Sequence, residues 1–128
     1  MFRGCIYTLI DKYPGSKFVL LVREDKDKFA RSMVNKVGGR AIELHRQFFN
    51  NIYPTDLHEC AKIYHYETNR TITNAIKDTD HKIMTLERIE EEWEDFWEWI
   101  GAEGDYHLSL LSWKIPRNTT EQNTVNTK

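Results

Sequence analysis

The sequence predicts an α/β domain, and three observations support this fold class. Residues 18–22 (FVLLV) form a continuous apolar run, which is typical of a parallel strand buried on both faces. A second short strand is predicted at residues 82–86 (KIMTL). Amphipathic helices precede, separate and follow these strands. Alternating helices and strands indicate a layered fold in which helices flank a short parallel sheet.

Local signals set the boundaries of the predicted elements. Apolar residues at helical spacing predict helices near 2–12, 25–37, 41–52, 56–77 and 87–100. The sequence YPGS at residues 13–16 ends the first helix, because proline cannot continue it and glycine favours a turn. Gly38 and Gly39 end the second helix. Residues 108–115 (LSLLSWKI) are predicted as an edge strand or an irregular packing segment.

Composition indicates one soluble domain over residues 1–116 and a polar, disordered tail over residues 117–128. The chain has 128 residues, of which 40% are hydrophobic and 30% are charged, the balance of an ordinary globular protein. No apolar run is long enough to span a membrane, and the N-terminus lacks a signal-peptide pattern. We therefore expect a cytoplasmic protein in which Cys5 and Cys60 are buried, reduced thiols.

The predicted sheet is too small to be complete. Two strands make a marginal sheet, and parallel strands need neighbours on both sides. We therefore expect the domain to lack part of its sheet. The strand at residues 18–22 would then expose an edge that a second copy of the chain or another polypeptide could cover.

Arg23 and Ser32 are the candidate ligand-binding residues. Arg23 immediately follows the first strand, and ligands in open α/β sheets bind beyond the carboxyl ends of the strands. The next helix begins nearby, so its free N–H groups would favour an anion. An arginine fork and a serine hydroxyl together suit a phosphate. The alternative is an ordinary surface salt-bridge cluster around REDKD at residues 23–27, and the residues alone leave both interpretations open.

The order of several motifs resembles that of the P-loop sulfotransferases. The first is KYPGSKFVLLVREDKDKFARSM at residues 12–33, in which a Tyr-Pro-Gly lead precedes a strand, an arginine and a helical serine. The second is HKIMTLERIEEEWEDFWEWIGAEGD at residues 81–105, with a glutamate after a strand and a Trp-Glu helix closing at a glycine. WKIPRNTT at residues 113–120 is similar to a later segment of the family. The resemblance covers residues 3–118.

This resemblance implies a partial three-layer sulfotransferase fold and a nucleotide ligand. In that family the arginine and serine hold the 3′-phosphate of 3′-phosphoadenosine 5′-phosphosulfate (PAPS), which here points to Arg23 and Ser32 and to no metal. The family usually has Arg-Asp-Pro and a serine eight residues after the arginine, whereas Ser32 is nine residues after Arg23. One extra helical residue would turn the serine by about 100°.

The glycine-rich phosphate-binding loop of the family has no counterpart in this sequence, and no catalytic residue is assigned. We therefore expect a residual or half-site for PAPS that is inactive alone or is completed by a second polypeptide carrying a P-loop. The alternative is a non-catalytic interaction module that uses the exposed sheet edge to form a homodimer or to bind a partner.

Charge and side-chain patterns argue against other functions. The first 54 residues carry a net charge of +5 and the rest carry −7, so the acidic half disfavours nucleic acid. The spacing of His58, Cys60 and His65 does not match a zinc motif, and solvated or core-edge histidines are expected. Trp93 and Trp97 are expected in the core, with Trp99 partly exposed or packed against residues 108–115.

Overall fold

The computed structural model describes residues 5–35, 42–43 and 56–115, and it is α/β as predicted. The chain divides into two compact units, residues 1–87 and residues 88–128. The predicted helix at 41–52 and the tail at 117–128 lie almost wholly outside the described residues. Only Ile42 and Glu43 of that helix are described, and both are helical.

The described residues of the first unit include a two-stranded parallel sheet. Strand β1 is Lys17–Val22 and strand β2 is Asp80–Thr85, paired in register from Lys17↔Asp80 to Val22↔Thr85. The two strands run in the same direction because a helical crossover joins them. Their carboxyl ends therefore lie side by side, and Arg23 follows one of them.

The helices that are described over their length in this unit are α1 (Ile6–Lys12), α2 (Lys26–Asn35) and α3 (Leu57–Ile76). Helix α3 begins at an N-cap aspartate, Asp56, whose Oδ1 accepts the backbone N–H of Glu59 at 3.0 Å. Lys62 of α3 forms a salt bridge with Asp27 of α2 at 2.9 Å, so the two packed helices are also joined at their surface.

Among the described residues, the core of the first unit consists of two clusters of buried side chains. Between α2 and α3, Ala30 packs with Ile42, Cys60 and Ala61. Small side chains at this contact let the two helices approach closely. The second cluster joins α1, β1 and α3 through Ile6, Leu20 and Ile76. Helix α3 takes part in both clusters and therefore holds α2 and the sheet in one unit.

Several apolar side chains of the sheet remain exposed. Val19 and Leu21 of β1 are 46% and 45% exposed, and Ile83 of β2 is 45% exposed. Leu20, between the first two, is buried, so β1 alternates between covered and uncovered faces rather than being buried on both. The expected homodimer or complementing polypeptide at this sheet stays a prediction.

The second unit contains α4 (Ile89–Ile100) and α5 (Tyr106–Trp113). Residues 108–115 were predicted as an edge strand or irregular segment, and this prediction was wrong. Asp105 caps a helix here, because its Oδ1 accepts the backbone N–H of Leu108 at 2.9 Å. Trp93 Nε1 donates to Ser109 Oγ at 3.0 Å, so an aromatic side chain of α4 fastens α5.

The other predicted boundaries differ from the structure by a few residues. A short 3₁₀ turn, Leu86–Arg88, separates β2 from α4 where the helix was expected to begin at residue 87. Trp93, Trp97 and Trp99 are all half-buried. Cys60 is buried as expected, but Cys5 is exposed, since it precedes α1 at the surface.

Among the described residues, no helix has the length and apolarity needed to cross a bilayer.

Candidate functional site

Arg23 lies at the carboxyl end of β1, in the short connection that leads into α2. Its side chain is half-buried. The salt bridges of the described residues use other cations, so no carboxylate there forms an ion pair with Arg23; the cations used are Lys17, Lys62, Arg70, Arg88 and Lys114. A guanidinium in this position retains its donors for a ligand.

Ser32 is the seventh residue of α2, which begins at Lys26. The start of the helix is well defined, because Asp25 Oδ1 accepts the backbone N–H of Lys28 at 2.9 Å and the Asp25 carbonyl accepts that of Phe29 at 3.0 Å. Seven residues at 100° each return Ser32 to about the same side of the helix as Asp25, about 10 Å further along the axis. The Ser32 side chain is half-buried.

Glu87, which follows strand β2, binds the backbone of the connection between β1 and α2. It lies just beyond the end of β2, and its two carboxylate oxygens accept the backbone N–H groups of Glu24 at 2.9 Å and Asp25 at 3.4 Å. These two N–H groups precede the first helical residue, Lys26, so the link before α2 already binds a carboxylate of the protein. The expectation that N–H groups at the start of α2 favour an anion stays a prediction.

The environment of Glu87 favours its charged form. Glu87 is exposed, and partial desolvation raises the pKa of its carboxyl, but hydrogen bonds from backbone N–H groups, including those of Glu24 and Asp25, and the nearby charge of Arg23 outweigh desolvation and lower the pKa overall. Glu87 is thus a carboxylate at neutral pH. Its charge also lies close enough to that of Arg23 for the two to attract each other.

His65 of α3 contacts the same connection between β1 and α2. Its side chain is only 9% exposed, its ring lies 4.5 Å from that of Phe29, and Asn69 Nδ2 lies 3.3 Å from its Nε2. The ring also hydrogen-bonds to the backbone of Arg23. His65 and Glu87 therefore fix the segment from Arg23 to Asp25 by contacts from two different elements.

A groove of about 300 Å³ lies beside His65. Among the described residues, its lining combines Lys26 of α2 with one side of α3: His65, Tyr66, Asn69, Arg70, Thr73 and Asn74. Neither Arg23 nor Ser32 lines it. Two cations border this groove, and His65 connects it to the backbone of Arg23. Arg70 forms a salt bridge with Glu67 at 3.9 Å, whereas Lys26 of α2 adds positive potential beside the β1–α2 connection.

The buried imidazole predicts that folding stability depends on pH between about 5 and 7. Burial lowers the pKa of His65, the charges of Lys26 and Arg23 lower it further, and the Arg23 backbone hydrogen bond and Glu87 only partly oppose this shift. The unfolded chain therefore takes up a proton before the folded chain does. The stabilisation is complete above the ordinary pKa of 6.5 and is lost as pH falls towards the folded value.

Urea unfolding at pH 7.5, 6.5, 5.5 and 5.0, followed by circular dichroism, measures this effect. We expect the free energy of unfolding to decrease over this range in the wild type and to change less in His65→Gln. Because aspartates and glutamates titrate mainly below pH 5, a wild-type profile that is flat down to that pH would contradict the assignment.

The structure thus adds two residues to the predicted site. Glu87 had appeared only as a glutamate after the second strand, and His65 only as an unlikely metal ligand. No local pattern reveals their role, because the partner of Glu87 lies about 60 residues away in sequence and that of His65 about 40. The part of the chain described here contains no cluster of three or more metal-ligating side chains.

Comparison with known proteins identifies a family over nearly the whole chain. A family model described as a sulfotransferase domain matches residues 4–115, which include β1, Arg23, Ser32 and most of each unit. No curated protein and no solved structure matches the chain.

Proposed function

Because the chain belongs to the sulfotransferase domain family, we propose that Arg23 and Ser32 bind the 3′-phosphate of PAPS. The family generally uses this nucleotide, which supplies the sulfuryl group for transfer. The observation that carries the proposal is the position of Arg23: it leaves the carboxyl end of a parallel strand and forms no ion pair among the described residues. In open α/β sheets this is the edge where ligands bind.

The spacing of nine residues between Arg23 and Ser32 is compatible with binding of the 3′-phosphate by both. In the Arg-Asp-Pro pattern of the family, proline would take the first helical position, which its fixed φ favours. A serine eight residues after the arginine is then the seventh helical residue. Ser32 is also the seventh helical residue, since α2 begins at Lys26. The additional residue lies in the turn at Glu24 and Asp25 and does not rotate Ser32 around the helix.

The side chains of Arg23 and Ser32 would make different contacts with the phosphate. The Arg23 guanidinium offers a fork of charged donors that matches two phosphate oxygens, and the Ser32 hydroxyl offers one neutral donor. Lys26 adds positive potential from the first turn of α2. These residues bind and orient one end of the nucleotide. Transfer of the sulfuryl group to a hydroxyl or amine would also need a phosphate-binding loop and a base that deprotonates the acceptor.

Isothermal titration calorimetry with two nucleotides tests the proposal. We expect adenosine 3′,5′-bisphosphate to bind at least about tenfold more tightly than adenosine 5′-monophosphate, because charge-assisted hydrogen bonds to the 3′-phosphate contribute about 1.5–3 kcal/mol. The two ligands share the base, the ribose and the 5′-phosphate. Equal affinities, or no heat with either, would refute a 3′-phosphate site at Arg23 and Ser32.

A further inference from the structure

Glu87 binds the backbone just after Arg23, the residue proposed to hold the phosphate. Its two oxygens bind consecutive backbone N–H groups, those of Glu24 and Asp25, at 2.9 and 3.4 Å. These two residues form the whole link between Arg23, after β1, and the first helical residue, Lys26. The extra residue of the Arg23–Ser32 spacing lies in this link. Glu87 therefore binds the part of the chain in which the spacing departs from the family pattern.

A two-residue link of this kind needs outside support. Without a partner, the N–H groups of Glu24 and Asp25 would be satisfied only by water, and the link could adopt several conformations. Proline, which would restrict such a link, is absent from it. The Glu87 carboxylate, just after the neighbouring strand β2, restricts the link instead, because it accepts the N–H groups of both Glu24 and Asp25.

We infer that Glu87 is a positioning residue, which clamps the Glu24–Asp25 link and thereby holds Arg23 and Ser32 in a fixed relation. This inference rests on the proposed 3′-phosphate site. Glu87 does not contact the ligand in this role. It acts through the backbone that follows Arg23, together with His65, whose ring hydrogen-bonds to the Arg23 backbone from α3.

A competing role for Glu87 makes the opposite prediction. Its carboxylate attracts Arg23, so it could simply compete with a phosphate for that guanidinium. Removing the carboxylate would then strengthen nucleotide binding, most of all at low salt. Under the positioning role, removal weakens binding, because a displaced Arg23 loses its alignment with the phosphate oxygens at any salt concentration.

The test compares Glu87→Ala and Glu87→Gln in the full chain, at 50 and 300 mM salt, with adenosine 3′,5′-bisphosphate as the probe. We expect the dissociation constant to rise about tenfold in Glu87→Ala and about threefold in Glu87→Gln, which keeps one acceptor oxygen. Exposed Glu91 of α4 is the matched control, and Glu91→Ala and Glu91→Gln should bind as the wild type does.

Nuclear magnetic resonance on the same variants reports the clamp directly. We expect the Glu24 and Asp25 amides to lose protection from hydrogen exchange in Glu87→Ala, and the Arg23 Nε–Hε signal to broaden or move to its free position. Glu87→Gln should show smaller changes, and it remains informative if Glu87→Ala does not fold. A stability loss without a change in these signals is a structural effect alone and overturns the inference.

The outcomes for the two proposals can be told apart. If the wild type binds no nucleotide, the proposed function fails, and the amide and Arg23 signals alone decide whether Glu87 fixes the link. If the wild type binds but Glu87→Ala binds equally or more tightly, the 3′-phosphate site stands and the positioning role is overturned. Unchanged amide protection in Glu87→Ala overturns it as well.

Discussion

Replacing Arg23 by alanine should raise the dissociation constant for adenosine 3′,5′-bisphosphate by about 30- to 100-fold, since two charge-assisted hydrogen bonds are lost from a half-buried position. The loss should be specific to the 3′-phosphate, so Arg23→Ala should bind the bisphosphate and adenosine 5′-monophosphate with similar affinity. Isothermal titration calorimetry with both nucleotides, on the wild type and on Arg23→Ala, measures the four dissociation constants. A variant that keeps the preference for the bisphosphate would place the phosphate elsewhere.

Two further variants separate the charge of Arg23 from its geometry. Arg23→Lys keeps the charge but loses the planar fork, so we expect an intermediate loss of about tenfold. Arg31→Ala removes an exposed cation from the same helix, α2, and should change affinity by no more than about twofold, because an exposed charge acts only through a screened field. Equal losses in Arg23→Ala and Arg31→Ala would indicate general electrostatic attraction instead of a defined site.

Replacing Ile76 by alanine should destabilise the first unit by about 3 kcal/mol, because buried isoleucine-to-alanine changes remove transfer free energy and leave a cavity. Ile76 is 1% exposed and lies in the cluster with Ile6 and Leu20, where α1, β1 and α3 meet. Urea unfolding monitored by far-ultraviolet circular dichroism measures the change. Tryptophan fluorescence would follow the wrong region, since all four tryptophans lie between residues 93 and 113.

Ile83→Ala is the matched control for this experiment. Ile83 belongs to the same unit and has the same side chain, but it is 45% exposed. We expect it to cost at most about 1 kcal/mol, because less apolar surface leaves water when it folds. A cost for Ile83→Ala equal to that of Ile76→Ala would show that another polypeptide, or a second copy of the chain, covers this part of the sheet.

Much of the fold could be predicted because the strongest patterns were local. The FVLLV run of β1, the Pro14–Gly15 turn and the broad apolar face of α4 each define an element within a dozen residues. The error at residues 108–115 has a physical reason. A short run rich in leucine resembles a strand, but the capping aspartate at Asp105 and the contact of Ser109 with Trp93 favour a helix.

The candidate site could be predicted only in part. Arg23 was found because its position after a strand is a property of sequence order and because the surrounding motif resembles a family. Glu87 and His65 act on the backbone of the β1–α2 connection, and such contacts leave no periodic signal. Nothing in the local sequence shows that the Glu87 carboxylate accepts the N–H groups of Glu24 and Asp25, just before α2.

Local side-chain chemistry was therefore enough to establish the α/β class, the family resemblance and the two residues proposed to hold a phosphate. Apolar periodicity, turn residues and motif order all act over short stretches of chain, so they can be read without coordinates. Only the packed protein decided which donors around Arg23 remain available. Parallel pairing of β1 with β2 brings Glu87 to the same edge as Arg23, and there its carboxylate accepts the backbone N–H groups of Glu24 and Asp25, just before α2.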